Sequence, residues 1–287
     1  MIVDPPGAGS RRLAVLGKPI AHSRSPQLQL AAYRELGLTD WTYERSEVDE
    51  AALPDFLASL DSSWRGLSLT MPLKEAVIPL LDELDQLATR TGAVNTVVLD
   101  DGGRRLGWNT DVGGIVRAFA ERGVRPASVL LLGTGATARS TLAAFAELGV
   151  AKVLVAGRSA DRVGEVVAVA EGWGVSAAAF EPGLDLTGLP PEIDLIASSL
   201  PREAEVGLPA AVPMGVSLFD VAYGVEPGPL TRAWRDAGES ARIVSGLDLL
   251  VHQALLQVRL FTAGDLEQPL PDEAAVLRAM RAAVGGF

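Results

Sequence analysis

The chain contains 287 residues, 48% of them hydrophobic, and carries a formal net charge of −11 at pH 7. This length accommodates two domains with a large core, and the negative charge disfavours nucleic acid or an anionic membrane as a general partner. The absence of cysteine excludes disulfides, thiolate metal sites and cysteine nucleophiles, and two histidines are too few for a histidine-rich metal site. Since there is no signal-peptide pattern and no run of about eighteen apolar residues, we expect a cytoplasmic protein with no metal and no membrane partner.

The first third of the chain alternates between short apolar segments and amphipathic helical segments. Residues 1–10, rich in proline and glycine, are expected to form a loose tail before it. Ser25 followed by Pro26 predicts a helix start with the serine hydroxyl as its N-cap. Alternating strands and helices predict a mostly parallel sheet. The predicted elements are, in order, 13–16, 25–36, 41–47, 50–60 and 65–69.

The next stretch ends the first domain. Thr70 to Lys74 passes from a strand end into a helix that is predicted to continue through residue 90. The turn at 100–103 predicts a hairpin, and residues 109–111 predict the cap of another helix, near which we place the domain boundary. The hairpin strands and that helix are predicted at 94–99, 104–108 and 112–121.

Residues 127–148 read as an apolar strand, a tight glycine turn and an alanine-rich helix. Glycines at such a turn let the backbone approach a ligand closely, and the start of a helix offers unpaired N–H groups to a pyrophosphate. The pattern is therefore typical of a dinucleotide-binding turn, although an ordinary strand-to-helix loop explains a bare glycine turn about equally well. The candidate cofactor-binding residues are Gly133, Thr134, Gly135, Ala136, Thr137 and Ala138.

The following strand, 152–156, ends about twenty residues later, where an NAD site would carry Asp or Glu for the ribose. Here it is followed by Gly157, Arg158 and Ser159, with Arg162 one turn later. Two guanidinium groups and a hydroxyl suit a 2′-phosphate, so these residues favour NADP. The alternative is two solvated arginines at a helix start.

The rest of the chain completes a doubly wound domain and then adds two apolar helices, 247–261 and 272–284. We expect both helices to pack back on the first domain. The predicted fold is α/β, with an N-terminal substrate domain of mostly parallel sheet and a Rossmann-like NADP-binding domain. Residues 1–110, completed by 247–287, form the first domain, and residues 111–246 form the second.

A nicotinamide cofactor carries a hydride, so the protein must handle the proton and orient the substrate. Lys74 and Asp111 are the best-placed candidates, because each lies beside a helix start that follows a strand. A lysine beside a carboxylate can hold a carbonyl or hydroxyl oxygen and exchange its proton. Either residue alone is more often a surface charge or an N-cap.

Five ordered motifs make the chain resemble the shikimate dehydrogenase family, and they span nearly the whole sequence in the order of that family. Any one of them is weak, but the series together with the glycine turn is highly specific. The motifs are Gly17-Lys-Pro-Ile-Ala-His-Ser-Arg-Ser-Pro26, Ser68-Leu-Thr-Met-Pro-Leu-Lys74, Gly92-Ala-Val-Asn-Thr96, Gly107-Trp-Asn-Thr-Asp111 and Gly246-Leu-Asp-Leu-Leu-Val-His-Gln253.

The resemblance implies NADP-dependent, reversible reduction of 3-dehydroshikimate to shikimate in aromatic amino acid biosynthesis. It implies Lys74 as the acid/base paired with Asp111, Ser23 and Ser25 on the substrate carboxylate with Tyr223 nearby, and Gly246 at the cofactor. The residues implied at the substrate hydroxyls are Thr70, Asn95, Asp111 and Gln253.

Single residues of this set also fit purely structural roles. Ser25 could be only a helix cap, Asn95 could close a turn, and Gln253 could be a helix-surface amide. The alternative functions are an NAD-dependent quinate/shikimate dehydrogenase and a non-catalytic NADP sensor on the same fold. A homodimer is a candidate assembly.

Overall fold

The computed structural model describes residues 10–224 and 226–285, and the loose tail expected at residues 1–10 lies outside them apart from Ser10. The chain divides into two compact units, which we call unit 1 and unit 2. Unit 1 consists of Met1–Thr110 together with Leu250–Phe287, and unit 2 consists of Asp111–Leu249. Unit 1 is therefore discontinuous in sequence. No helix among the described residues is long and apolar enough to cross a membrane.

Unit 1 contains a six-stranded sheet in the order β2-β1-β3-β5-β6-β4. The central strand β1 pairs in parallel with β2 and β3, while β5 runs antiparallel to its two neighbours. The elements up to residue 108 are β1 (Arg11–Gly17), α1 (Ser25–Glu35), β2 (Trp41–Glu47), α2 (Leu53–Ala58), β3 (Trp64–Leu69), α3 (Leu73–Ala76), β4 (Glu83–Leu84), α4 (Gln86–Thr91), β5 (Thr96–Leu99) and β6 (Arg105–Trp108).

Unit 2 contains a second six-stranded sheet, in the order β12-β11-β10-β7-β8-β9, and its neighbouring strands pair in parallel. This arrangement confirms the predicted doubly wound fold. The remaining elements are α5 (Thr110–Arg122), β7 (Ser128–Leu132), α6 (Ala136–Glu147), β8 (Lys152–Ala156), α7 (Ala160–Glu171), β9 (Ser176–Ala179), β10 (Leu195–Ser198), β11 (Ser217–Asp220), α8 (Pro229–Asp236), β12 (Ile243–Ser245), α9 (Gly246–Ala263) and α10 (Glu273–Ala283).

The last two helices contribute a large part of the core of unit 1. Side chains of α9 and α10, including Val258 and Met280, belong to the same buried cluster as Leu13 of β1. A bidentate ion pair joins the two helices, because Arg259 donates to both carboxylate oxygens of Glu273 at 2.6 and 2.7 Å. The core of unit 1 thus includes side chains of both C-terminal helices.

One predicted element is wrong. The helix expected to run through residue 90 breaks into α3, a short 3-10 turn, strand β4 and helix α4. Asp85 explains the break, because its carboxylate caps α4 by accepting from the backbone N–H groups of Leu87 and Ala88. A residue in that extended conformation cannot continue a helix, and the preceding β4 pairs with β6 instead.

Candidate active site

Ser23 lies in the loop between β1 and α1, Ser25 is the first residue of α1, and both are buried. The backbone N–H of Ser25 donates to Ser23 Oγ at 3.3 Å. The prediction that Ser25 is the N-cap is wrong, because α1 already includes Ser25 and its N-cap is Arg24, which makes no side-chain capping bond. The Ser25 hydroxyl makes no hydrogen bond to any described residue, so it is available to a ligand.

Arg45 of β2 supports this serine loop. Its Nε and Nη2 atoms donate to the backbone oxygen of Ser23 at 2.8 and 2.5 Å. These bonds hold the loop and place a guanidinium charge beside it, which favours an anionic ligand. The sequence motifs did not identify Arg45, because it lies on a neighbouring strand outside all of them.

Thr70 and Lys74 follow β3, and Asn95 precedes β5. Backbone hydrogen bonds bring these segments together, since Leu69 N–H donates to Asn95 O and Val94 N–H donates to Lys74 O, each at 2.8 Å. Thr70 and Lys74 are partly exposed. The three candidate residues therefore lie on adjoining segments of unit 1.

Asn95 and Gln253 contact each other directly. Asn95 Nδ2 donates to Gln253 Oε1 at 3.3 Å, and the residues are only 3% and 7% exposed. The Gln253 amide donates in turn to the backbone oxygen of Leu250 at 2.8 Å. Its burial excludes the alternative of a helix-surface amide. Two buried amides side by side suit a ligand that carries hydroxyl groups.

Asp111 and Tyr223 belong to unit 2. Asp111 is buried in the first turn of α5, and Tyr223 is partly buried after β11. Asp220 at the end of β11 fixes the segment before Tyr223, because its carboxylate accepts from Ala222 N–H at 3.2 Å and from Thr231 Oγ1 at 2.9 Å. Burial raises the pKa of Asp220, and these hydrogen bonds offset only part of the increase.

The glycine turn between β7 and α6 has an open helix start. Gly133 has φ +110°, and a Cβ at this position would overlap Ser199 Oγ. Gly135 is the N-cap of α6, makes no side-chain capping bond and has open space where a Cβ would lie. The N–H groups of the first turn of α6 thus lack a side-chain cap, which fits a pyrophosphate. Thr134, Ala136 and Thr137 are partly exposed in this turn, whereas Ala138 is buried.

The arginines after β8 are exposed, and neither guanidinium makes a hydrogen bond or ion pair with a described residue. Ser159 caps α7, and its Oγ accepts from the backbone N–H of Arg162 at 3.4 Å. Arg158 directly precedes this cap. Since β8 pairs in parallel with β7, this loop and the glycine turn lie at the same edge of the sheet. Their placement suits two parts of one dinucleotide.

Gly246 begins α9 where the backbone is closely packed. A Cβ at Gly246 would overlap the backbone oxygen of Val221. Just beyond it, the fully buried Asp248 accepts from Arg122 Nη2 at 2.9 Å and from Ser245 N–H at 2.9 Å. Burial acts to raise the pKa of Asp248, but the bonds from Arg122 and Ser245 and the Arg122 charge outweigh it and hold the pKa below its ordinary value.

The described residues contain no group of three or more His, Asp or Glu side chains that could hold a metal ion. The candidate substrate residues offer hydroxyls, amides, one lysine and one carboxylate. The candidate cofactor residues form a glycine turn and contribute two arginines.

Comparison with known proteins identifies the family. A family model described as the shikimate dehydrogenase substrate binding domain matches residues 15–97. A shikimate dehydrogenase (NADP(+)) of Thermus thermophilus is 36% identical over 282 residues, covering 96% of this chain and 99% of the relative. The chain belongs to the shikimate dehydrogenase family.

Solved structures of the family agree with the fold. The crystal structure of Mycobacterium tuberculosis shikimate dehydrogenase has a TM-score of 0.81 and 37% identity, covering 95% of this chain and 99% of its own. A structure of the T. thermophilus family member in complex with NADP(H) and shikimate has a TM-score of 0.77 and 31% identity, covering 95% of this chain and 99% of its own. The architecture of the family thus extends over nearly the whole chain.

Three further polar residues surround Asn95: Thr96 and Thr110 lie inside the family motifs without a predicted role, and Gln257 lies outside them. Thr110 N–H donates to Asn95 Oδ1 at 2.8 Å, Thr96 Oγ1 donates to the same oxygen at 2.9 Å, and Gln257 Nε2 donates to Asn95 O at 3.3 Å. A signal for Gln257 is present in the sequence, because it is a polar residue one turn after Gln253 on a mostly apolar helix.

Proposed function

We propose that the protein catalyses the NADP-dependent, reversible reduction of 3-dehydroshikimate to shikimate. The observation that carries this proposal is the full-length likeness to the T. thermophilus family member, whose structure holds NADP(H) and shikimate. The site residues support it as well, since unit 1 offers short polar side chains and unit 2 offers an open glycine turn. We assign substrate binding to unit 1 and NADP binding to unit 2.

In unit 1, Ser23 and Ser25 bind the substrate carboxylate, with the Arg45 charge beside their loop. Thr70, Asn95 and Gln253 bind the ring hydroxyls. A hydroxyl that is left unpaired in a dry site would cost about 1–3 kcal/mol, so such side chains distinguish a polyhydroxylated ring from an apolar one. From unit 2, we assign Tyr223 to the carboxylate and Asp111 to a hydroxyl.

When bound, the nicotinamide supplies the hydride for the carbonyl carbon. Lys74 donates a proton from its ammonium group to the carbonyl oxygen during reduction, and its neutral amine takes the proton from the hydroxyl in the reverse direction. Asp111 assists this proton transfer as the carboxylate paired with Lys74. A binding protein that only senses NADP needs no such proton donor.

The residues of unit 2 fit an NADP molecule. The N–H groups at the start of α6, which has no side-chain cap, would hold the pyrophosphate, and Gly135 leaves open space beside them. Arg158 and Arg162, with Ser159, would bind the 2′-phosphate, because no carboxylate ends β8. Gly246 completes the candidate set at the start of α9.

One assay tests the function and its alternatives. The purified protein is given shikimate or quinate, each with NADP or NAD, and turnover is followed at the nicotinamide absorbance. We expect the highest kcat/KM for shikimate with NADP. Faster turnover of quinate with NAD would instead identify a quinate/shikimate dehydrogenase, and NADP binding without any turnover would identify a sensor.

We also propose that the enzyme acts in the cytoplasm as a homodimer, on the strength of the family resemblance. Light scattering tests the assembly, because a dimer has twice the 30.0 kDa mass of the chain. A mass that stays at 30.0 kDa at assay concentration would exclude the dimer.

A further inference from the structure

A layer of buried polar side chains lies in the core of unit 1, behind the candidate substrate residues. Each member lies one helical turn, or two residues, from one of those candidate residues. The pairs are Gln29 with Ser25 on α1, Ser68 with Thr70 at β3, and Gln257 with Gln253 on α9.

Gln257 contacts both other members of this layer and is only 1% exposed. Its Oε1 atom accepts from Ser68 Oγ at 2.9 Å and from Gln29 Nε2 at 3.2 Å. Its Nε2 atom donates to the backbone oxygen of Asn95 at 3.3 Å and to Thr96 Oγ1 at 3.0 Å. Because a backbone oxygen can only accept, the amide of Gln257 has one orientation, and both of its ends are fully used.

The Gln257 amide is connected to the Asn95 side chain through Thr96. Thr96 Oγ1 accepts a hydrogen from Gln257 and donates its own proton to Asn95 Oδ1 at 2.9 Å. The Thr110 backbone N–H donates to the same oxygen at 2.8 Å. A reversed Asn95 amide would set its NH2 group against both donors. The Nδ2 atom therefore faces Thr110 Oγ1, at 2.9 Å, and Gln253 Oε1, at 3.3 Å.

We propose that Gln257 is a positioning residue for substrate binding. It touches no substrate, but it holds Asn95 through the backbone oxygen and, by way of Thr96, through the side chain. Asn95 consequently directs its Nδ2 atom toward Gln253, the second amide of the candidate substrate set. This inference rests on the proposed function, in which Asn95 and Gln253 bind the ring.

The test replaces Gln257 by leucine, which keeps the bulk and removes both ends of the amide. Gln257→Leu is expected to raise the KM for shikimate about tenfold, with a smaller change in kcat and an unchanged KM for NADP. In an Asn95→Ala background, Gln257→Leu should raise the KM for shikimate little further, because both substitutions act on the same contact. Tyr33→Phe is the control: it removes a buried hydroxyl of the same core that has no partner among the described residues, and KM should not change.

Two results would overturn the inference in an enzyme that turns over shikimate. One is a folded Gln257→Leu variant with a lower melting temperature and an unchanged KM, and the other is additivity with Asn95→Ala. If Gln257→Leu does not fold, Thr96→Val breaks the same relay without a change of shape and should raise the KM similarly.

A readout without turnover separates this inference from the proposed function. If the parental protein does not turn over shikimate, the proposed function fails, whereas the relay is still tested by a crystal structure of Gln257→Leu or of Thr96→Val. We expect the Asn95 side chain to shift from its parental position there, because it loses the support of Gln257 or of Thr96 while the bond from Thr110 N–H remains. An Asn95 amide that still faces Gln253 as in the parent would refute the role of Gln257.

Discussion

Two glycines of one turn should respond to the same substitution in opposite ways. An alanine at position 133 must adopt φ +110° with its Cβ against Ser199 Oγ, and a backbone held in such a region costs about 1–3 kcal/mol. An alanine at position 135 keeps an extended backbone, with φ −86° and no atom within 4 Å of its Cβ. There the substitution should stabilise by about 0.4–1 kcal/mol through the unfolded state.

At position 135 the effect on NADP binding should be unfavourable, although the effect on stability is favourable. If the pyrophosphate lies in the space beside Gly135, the new methyl group occupies part of it, and the KM for NADP should rise while stability is kept or improved. Gly133→Ala should instead lower the melting temperature, by roughly 2–4 °C per kcal/mol for a domain of this size. Melting curves and NADP saturation curves on both variants measure these effects. A stable Gly135→Ala protein with the parental KM for NADP would refute the assignment of this space to the cofactor.

Four further substitutions test individual assignments. Lys74→Ala should lower kcat by about 10²–10⁴-fold with little change in shikimate affinity; a folded variant with parental turnover contradicts the proton role. Arg158→Ala should raise the KM for NADP and spare NAD use, whereas equal losses with both cofactors count against a 2′-phosphate contact. Ser25→Ala should raise the KM for shikimate without the loss of about 0.5–2 kcal/mol expected for a cap, and a melting curve separates the two roles. Asp248 has a lowered folded pKa, so its stabilisation is present above the unfolded value near 3.9 and is lost as pH falls through the folded value; Asp248→Asn should melt lower at pH 7 yet lose less stability on acidification than the parent.

The predictions from sequence are most accurate where a single local rule determines the structure. The strand, glycine turn and helix from Ser128 to Glu147 are present as predicted, because a glycine that needs positive φ and an apolar period of 3.6 leave few alternatives. Asn95 and Gln253 lie 158 residues apart and still meet, but only the family motifs connected them, since spacing alone carries no information on such a contact.

The failures have a common physical cause, which is competition between two uses of one polar residue. Ser25 next to a proline has the composition of an N-cap, yet it is already part of α1, and the N-cap is Arg24. Asp85 lies in a stretch with helical periodicity, yet its carboxylate starts a new helix there. From the sequence, Gln257 is only one of several polar residues on α9, because its four partners lie on α1, on β3, on β5 and at Asn95 just before β5.

The discontinuity of unit 1 affects the order in which the chain can fold during synthesis. Unit 2 ends at residue 249, so all of its strands leave the ribosome before α9 and α10 do. Nascent domains generally fold as they emerge, from the N-terminus onward, but the sheet of unit 1 must wait for Val258 and Met280 to cover Leu13. The domain that is translated first is therefore completed last, and the hydrogen bond from Gln257 to the Asn95 backbone oxygen forms only when the C-terminal helices arrive.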